Sequence, residues 1–220
     1  MIGSGDIDAI VLAAGRGNRL RLGPKAWLTL GGRTLLERAV ATMGAVAGSV
    51  TAGVAADDLV RARAQCGDRA VMVSGGATHR ETMVAAFGVG HAPLVLVHDV
   101  AHPFVTPALA HEVIEAARRR GAAVAAVGAA ASTYRWVPGA VPLRVGSSDE
   151  IWTLRRPLVF RCADFTRCLA DVVSDESISD LLKRVGVCLE LVPTPSWNIK
   201  ITTPDDWVLA LAIEKTVRPL

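Results

Sequence analysis

The 220 residues carry 24 Lys and Arg against 21 Asp and Glu, a formal charge of +3, and 51% are apolar with only 20% charged. Such a chain can close one substantial core and does not read as a disordered tail. The mild charge and 5% aromatic content provide neither the basic stripe nor the stacking platform of a nucleic-acid binder, while small anionic ligands stay open.

In chain order, the N-terminal "MIGSGDID" has neither the basic start nor the apolar core of a signal peptide, which points to the cytoplasm. Buried strands are predicted at "AIVLA" (9–13), "SVTAGVA" (49–55), "AVMVS" (70–74), "PLVLVH" (93–98), "AAVAAV" (122–127) and "VCLELVP" (187–193). These runs are nearly continuous rather than alternating, as for strands covered on both faces. Helical period appears over 34–46 and over 107–120, where Thr106 reads as an N-cap, Pro107 as a first-turn residue and Gly121 as a stop. Strands alternating with helices imply a three-layer α/β fold, a mostly parallel sheet with helices on both faces, as one domain over 1–220.

One segment breaks the alternation. Residues 132–158 hold three prolines and two tryptophans with no helical pattern, and read as an extended arm. Tryptophans exposed on an arm are costly alone, so a homodimer through this arm is expected. The most apolar stretch, 122–131, is about half the length of a bilayer span, so no membrane is expected. Cys66, Cys162, Cys168 and Cys188 show no C-x-x-C spacing and read as reduced thiols rather than a zinc site or a disulfide frame.

Three stretches carry chemistry. After the first strand, residues 13–27 ("AAGRGNRLRLGPKAW") hold three glycines and four cations. The loop after the first strand of such a sheet is a usual phosphate site. Gly15 and Gly17 permit close backbone approach. It is not a Walker loop, because Pro24 separates Gly23 from Lys25 and no Ser or Thr follows. Nor is it a dinucleotide fingerprint, because Leu20 stands where the third glycine belongs. What remains, Arg19 and Lys25 beside a glycine loop, suits a triphosphate.

In "LVLVHDVAHP" (94–103), Asp99 falls at the end of a strand, on the same edge, and its carboxylate suits a magnesium ion as well as a turn cap. His98 beside it reads as structural. In "SWNIKITTPDDW" (196–207), Lys200 lies between Ile199 and Ile201 before a helix that Thr203 caps. It points away from its apolar neighbours, toward solvent or toward the active edge.

Together these segments resemble the 2-C-methyl-D-erythritol 4-phosphate cytidylyltransferase family of the nonmevalonate isoprenoid pathway. The family pattern AAG-x-G-x-R followed by PK is similar to residues 13–25, GG-x-x-R-x-x-S to "GGATHRET", HD-x-AR-P to "HDVAHP" and NIK-x-T-x-P-x-D to "NIKITTPDD", and an acidic "SDE" stands at 174–176. The resemblance implies transfer of CMP from CTP to the phosphate of 2-C-methyl-D-erythritol 4-phosphate, with Mg2+ as cofactor and pyrophosphate leaving. Ala13, Ala14, Gly15 and Gly17 would hold the nucleotide, Gly76, Ala77 and Thr82 would surround cytosine, and Asp99 would serve the metal. Arg19, Lys25 and Lys200 would be catalytic, with His102, Thr133, Arg135, Ser148 and Arg156 on the acceptor side. Four positions depart from the pattern: His79 and His102 stand for arginines, Ser148 falls near an arm arginine, and Arg156-Pro157 replaces Thr-Pro. They leave open another acceptor, such as ribitol 5-phosphate, or a weakly catalytic nucleotide-binding homologue.

Overall fold

A strand buried on both faces has no polar side, and the nearly continuous apolar runs lie in the middle of a seven-stranded sheet in the computed structural model, which describes residues 4–89, 92–170, 182, 183 and 185–217. The chain runs through β1 (Ile7–Leu12), β2 (Thr29–Leu30), β3 (Arg33–Thr34), α1 (Leu35–Gly44), β4 (Ser49–Val54), α2 (Leu59–Cys66), β5 (Val71–Ser74) and α3 (His79–Phe87). It continues through β6 (Leu94–Asp99), α4 (Pro107–Arg120), β7 (Ala122–Gly128), β8 (Thr133–Arg135), β9 (Leu143–Gly146), β10 (Trp152–Arg161), α5 (Cys162–Ala170), β11 (Leu189–Pro193) and α6 (Pro204–Thr216). The large sheet has the order β11-β7-β10-β6-β1-β4-β5. Its pairs are parallel except those of β10, which is antiparallel to both β6 and β7.

The two-residue period of the strands divides the core. Ile7, Ala9 and Val11 of β1 and Leu94 and Leu96 of β6 face a layer that includes Leu36, Val40 and Met43 of α1, Val113 and Ile114 of α4 and Ala210 of α6. Ile10, Leu12, Val95 and Val97 face the other layer, with Ala86 of α3 and Phe165 and Cys168 of α5. Four helices start on threonines whose hydroxyls accept from the first turn: Thr34, Thr78, Thr106 and Thr203. Each such cap contributes about 1 kcal/mol and fixes where the helix begins. Pro107 at the start of α4 and Gly121 after it, at φ 99°, stand where the sequence places them.

The predicted strands are all present, with ends shifted by one or two residues. The arm is shorter than 132–158. Only β8 and β9 form a separate two-stranded ribbon. From Trp152 the chain enters the large sheet as β10, with Leu158 and Phe160 buried. The sequence hid this strand because Pro157 cannot donate to a ladder. It is accommodated where pairing with β7 is irregular, between Leu154 and Leu158. The "SDE" at 174–176 lies outside the described residues. No helix among the described residues is long and apolar enough to cross a membrane.

Candidate active site

At the carboxyl ends of β1, β5 and β6 the sheet opens into a cleft of about 350 Å³ lined by Leu12, Ala14, Gly15, Arg19, Lys25, Gly76, Ala77, Thr78, His79, Thr82, Asp99, Val100 and Lys200. Four separate stretches of sequence thus converge, three of them the loops after β1, β5 and β6, as parallel topology requires when each strand delivers its following loop to one edge, and the fourth the segment that carries Lys200.

The first loop is anchored at Leu20, which is fully buried and whose N–H donates to Gly17 O at 2.9 Å. Gly17 has φ 71°, and a Cβ there would stand 2.3 Å from the carbonyl oxygen of Gly23. Only glycine lets the loop fold back this tightly. Gly17 therefore shapes the loop and is not on the cleft wall. Ala13 is likewise off the lining, its side chain buried in the core and its N–H donating to Gly53 O at 2.8 Å. Of the four cations in the loop, Arg19 and Lys25 reach the cleft. Burial lowers the Lys25 pKa, with the charges of Lys200 and Arg19 acting the same way and Asp99 opposing them.

The second loop precedes α3. Thr78 caps the helix and Glu81 completes the box, its Oε2 accepting from Thr78 N at 3.3 Å and also from Ala77 N at 2.6 Å. Thr82 Oγ1 accepts from Gly76 N at 3.1 Å and donates to Thr78 O at 3.0 Å. The N–H groups of Gly76 and Ala77 are thus engaged inside the loop.

The third group surrounds Asp99 at the end of β6. Its Oδ1 accepts from Ala101 N at 2.9 Å, and its Oδ2 lies 3.4 Å from Lys200 Nζ and 3.8 Å from His79 Nε2. Burial alone would raise the carboxyl, which is 6% exposed, but the Lys200 ammonium, the Ala101 N–H and the Arg156 guanidinium hold it well below the usual range. Lys200 points to the active edge rather than to solvent. Its neighbour Ile201 is fully buried and donates its N–H to Ala101 O at 2.8 Å, which ties this segment to the Asp99 turn.

The acceptor residues read from the sequence are not gathered here. His102 is 2% exposed with both ring nitrogens buried and unpartnered, and burial holds it well below the ordinary histidine range. A buried neutral imidazole cannot present a charge to an acceptor phosphate. Arg156 sits behind the cleft rather than on its lining. Thr133 and Arg135 lie on β8 and Ser148 in the turn after β9, off the cleft of their own chain. Thr78 also lines the wall, a residue that no motif singled out; the signal for it is Glu81 three residues on, the T-x-x-E spacing of a capping box. Sequence reasoning flagged His79 only as a departure.

Comparison with known proteins decides what this cleft belongs to. The family model for "IspD: 2-C-methyl-D-erythritol 4-phosphate cytidylyltransferase" matches residues 7–216. The chain belongs to this family. A 2-C-methyl-D-erythritol 4-phosphate cytidylyltransferase of Thermus thermophilus is 34% identical over 224 aligned positions, spanning 96% of this chain and 98% of that one. The corresponding protein of Deinococcus radiodurans is 32% identical over 210 positions, covering 93% and 88%. The crystal structure of the Thermus thermophilus cytidylyltransferase superposes with a TM-score of 0.81 at 31% identity over 94% of this chain and 98% of that one. A synthase structure from Anaerococcus prevotii, at 22% identity and TM-score 0.79 over 97% of this chain and 100% of that one, shares the fold. This chain carries histidines at 79 and 102, where the motif it resembles has arginines.

Proposed function

We propose that the protein transfers CMP from CTP to the phosphate of 2-C-methyl-D-erythritol 4-phosphate and releases pyrophosphate. The observation that carries this reading is the convergence of Arg19, Lys25, Asp99 and Lys200 on one cleft within a full-length family match. The relatives are named for this acceptor, and no feature of the cleft favours ribitol 5-phosphate over it.

The triphosphate lies along Ala14 and Gly15, with Arg19 gripping two oxygens in its planar fork and Lys25 acting as a movable point charge. The base lies against Gly76, Ala77 and Thr82. Because the N–H groups of Gly76 and Ala77 are held by Thr82 and Glu81, the backbone groups left to a base are carbonyls. These match the exocyclic amino donor of cytosine and not the carbonyl of uracil. The acceptor's phosphate oxygen attacks the α-phosphorus of CTP, and pyrophosphate leaves in line. Arg19, Lys25 and Lys200 stabilise charge that grows on the phosphoryl oxygens, so the reaction needs positioning and charge balance rather than a covalent nucleophile.

The cleft also fits a magnesium ion held mostly by substrate. Asp99 is the single carboxylate on its lining, and Mg2+ at such sites takes one or two carboxylates with the remaining ligands from phosphates and water. Bound there, it would neutralise charge on the triphosphate.

The arm displays Tyr134, Trp136, Val137, Val141, Leu143 and Val145 to solvent, a large apolar surface for one ribbon. A second copy covers it, and the acceptor residues Thr133, Arg135 and Ser148 act across that dimer. The protein works in the cytoplasm. Pyrophosphate release measured with CTP and a panel of sugar and polyol phosphates tests the function. A preference for ribitol 5-phosphate over 2-C-methyl-D-erythritol 4-phosphate, or activity with neither, would overturn it.

A further inference from the structure

Behind Asp99 lies a second layer of polar residues that the proposed chemistry does not use. Strand β10 pairs with β6 through Leu158 and Val97. Arg156 and Asp99 each lie two residues further on, toward the carboxyl end of β6. On its other edge the pairing of β10 with β7 jumps from Leu154–Ala126 to Leu158–Val124, so Arg155, Arg156 and Pro157 occupy an irregular stretch. Such bulges re-aim side chains. The backbone there is pinned, because Asn198, fully buried, donates from Nδ2 to Arg156 O at 3.1 Å and to Thr194 Oγ1 at 3.3 Å.

The Arg156 guanidinium is held by little else. Its Nη1 donates to Arg155 O at 3.3 Å, and its Nε is buried and unpartnered. Burial disfavours its charge, and Asp99 is the charge that offsets this. The other ionisable side chains buried beside Asp99 among the described residues, His98 and His102, are both held neutral by burial.

From this arrangement we infer that Arg156 is a positioning residue for the transfer reaction: set on the bulge of β10, it balances the Asp99 carboxylate from behind while Lys200 meets it from the cleft. It does not touch substrate. Asp99 accepts a backbone N–H with one oxygen and faces Lys200 with the other, so a fixed second cation behind it frees the front oxygen to exchange Lys200 for substrate or metal. At this depth Arg156 acts through a medium of low dielectric, where one charge is felt over several ångströms. The same charge cannot come from residue 102, where the resembled motif carries arginine and this chain carries a buried histidine.

The inference rests on the reading of Asp99 as part of a cytidylyltransferase site, and the test separates the two. Acceptor kcat/KM and the calorimetric CTP Kd are measured for wild type, Arg156→Met, Arg156→Lys, Asp99→Asn and the double variant Asp99→Asn/Arg156→Met. Coupled neighbours differ from additivity by roughly tenfold. Arg156→Met is expected to lower acceptor kcat/KM about tenfold with CTP Kd unchanged within about twofold, and to cost less than about twofold once Asp99 is asparagine. Arg156→Lys, which retains the charge, is expected to keep most of the rate. A full loss from Arg156→Met in the Asp99→Asn background, wild-type kinetics in Arg156→Met, or a Lys variant as slow as the Met variant would overturn the inference. Should Arg156→Met not fold, Arg156→Gln replaces it, and should Asp99→Asn be too slow to time, the comparison with Arg156→Lys decides. Wild-type protein without CMP transfer would instead overturn the proposed function.

Discussion

Replacing Gly53 by alanine isolates the packing that fixes the base-facing loop. A Cβ at this position in β4 would stand 2.4 Å from Cγ2 of Thr82. Ordinary carbon contacts lie near 3.5–4.0 Å, so α3 must retreat by roughly 1 Å. Thr82 is 2% exposed and its Oγ1 holds Gly76 N at 3.1 Å, so the loop moves with the helix. Overpacking of this kind costs about 1–3 kcal/mol, and in a domain of this size each kcal/mol lowers Tm by about 2–4 °C. The displaced loop should also weaken CTP binding about tenfold, equivalent to about 1.4 kcal/mol. Adding Thr82→Ser removes Cγ2 and keeps the hydroxyl, so the double variant should recover most of both losses. Scanning calorimetry and titration with CTP and Mg2+ read the two effects. Wild-type CTP affinity in Gly53→Ala, or a loss that Thr82→Ser does not relieve, would refute this account of the loop.

Arg19→Ala and Lys25→Ala should each lower kcat on the order of a hundredfold while CTP Kd changes far less, because their charges matter most as the phosphoryl transfers; a collapse of affinity with intact turnover would reverse that assignment. Mg2+ alone should give no binding heat, since Asp99 already faces Lys200 at 3.4 Å, and should bind once CTP supplies its own negative charge; metal binding without nucleotide that Asp99→Asn abolishes would contradict this. Deleting residues 138–148 should leave a CTP-binding monomer that no longer transfers CMP, and a monomeric wild type in light scattering would defeat the dimer. Burial pushes the pKa of His98 down to about 4, against about 6.5 in the unfolded chain. The unfolded state takes the proton first, so this stabilisation is complete above about pH 6.5 and is lost as pH falls toward 4. His98→Asn should flatten the decline of Tm over that window, and an unchanged profile would count against the buried neutral state.

Where function rests on backbone loops and fixed charges, the sequence was readable. Gly15, Arg19, Lys25, Asp99 and Lys200 were placed from strand ends and motif order, and all line the cleft. Three kinds of information were not local. The direction of Lys200 depended on which face Ile201 buried. Strand β10 was concealed by a proline that only an irregular ladder accommodates. The burial of His102 depends on packing under the Asp99 turn, which no spacing rule reports, so it read as an acceptor ligand. Ala13 packs in the core and Gly17 makes a tight turn, placements that a motif match does not report.

The proposed reaction passes CMP directly between two bound substrates without a covalent enzyme intermediate. It is tested by mixing CTP labelled at the α-phosphorus with stoichiometric protein, Mg2+ and 2-C-methyl-D-erythritol 4-phosphate, quenching within the first turnover, and separating protein from small molecules. Label is expected only in the cytidyl conjugate of the acceptor, with pyrophosphate released in equal amount and no label on the protein. Label retained on the protein, or labelled CTP left unchanged beside the intact acceptor, would contradict it.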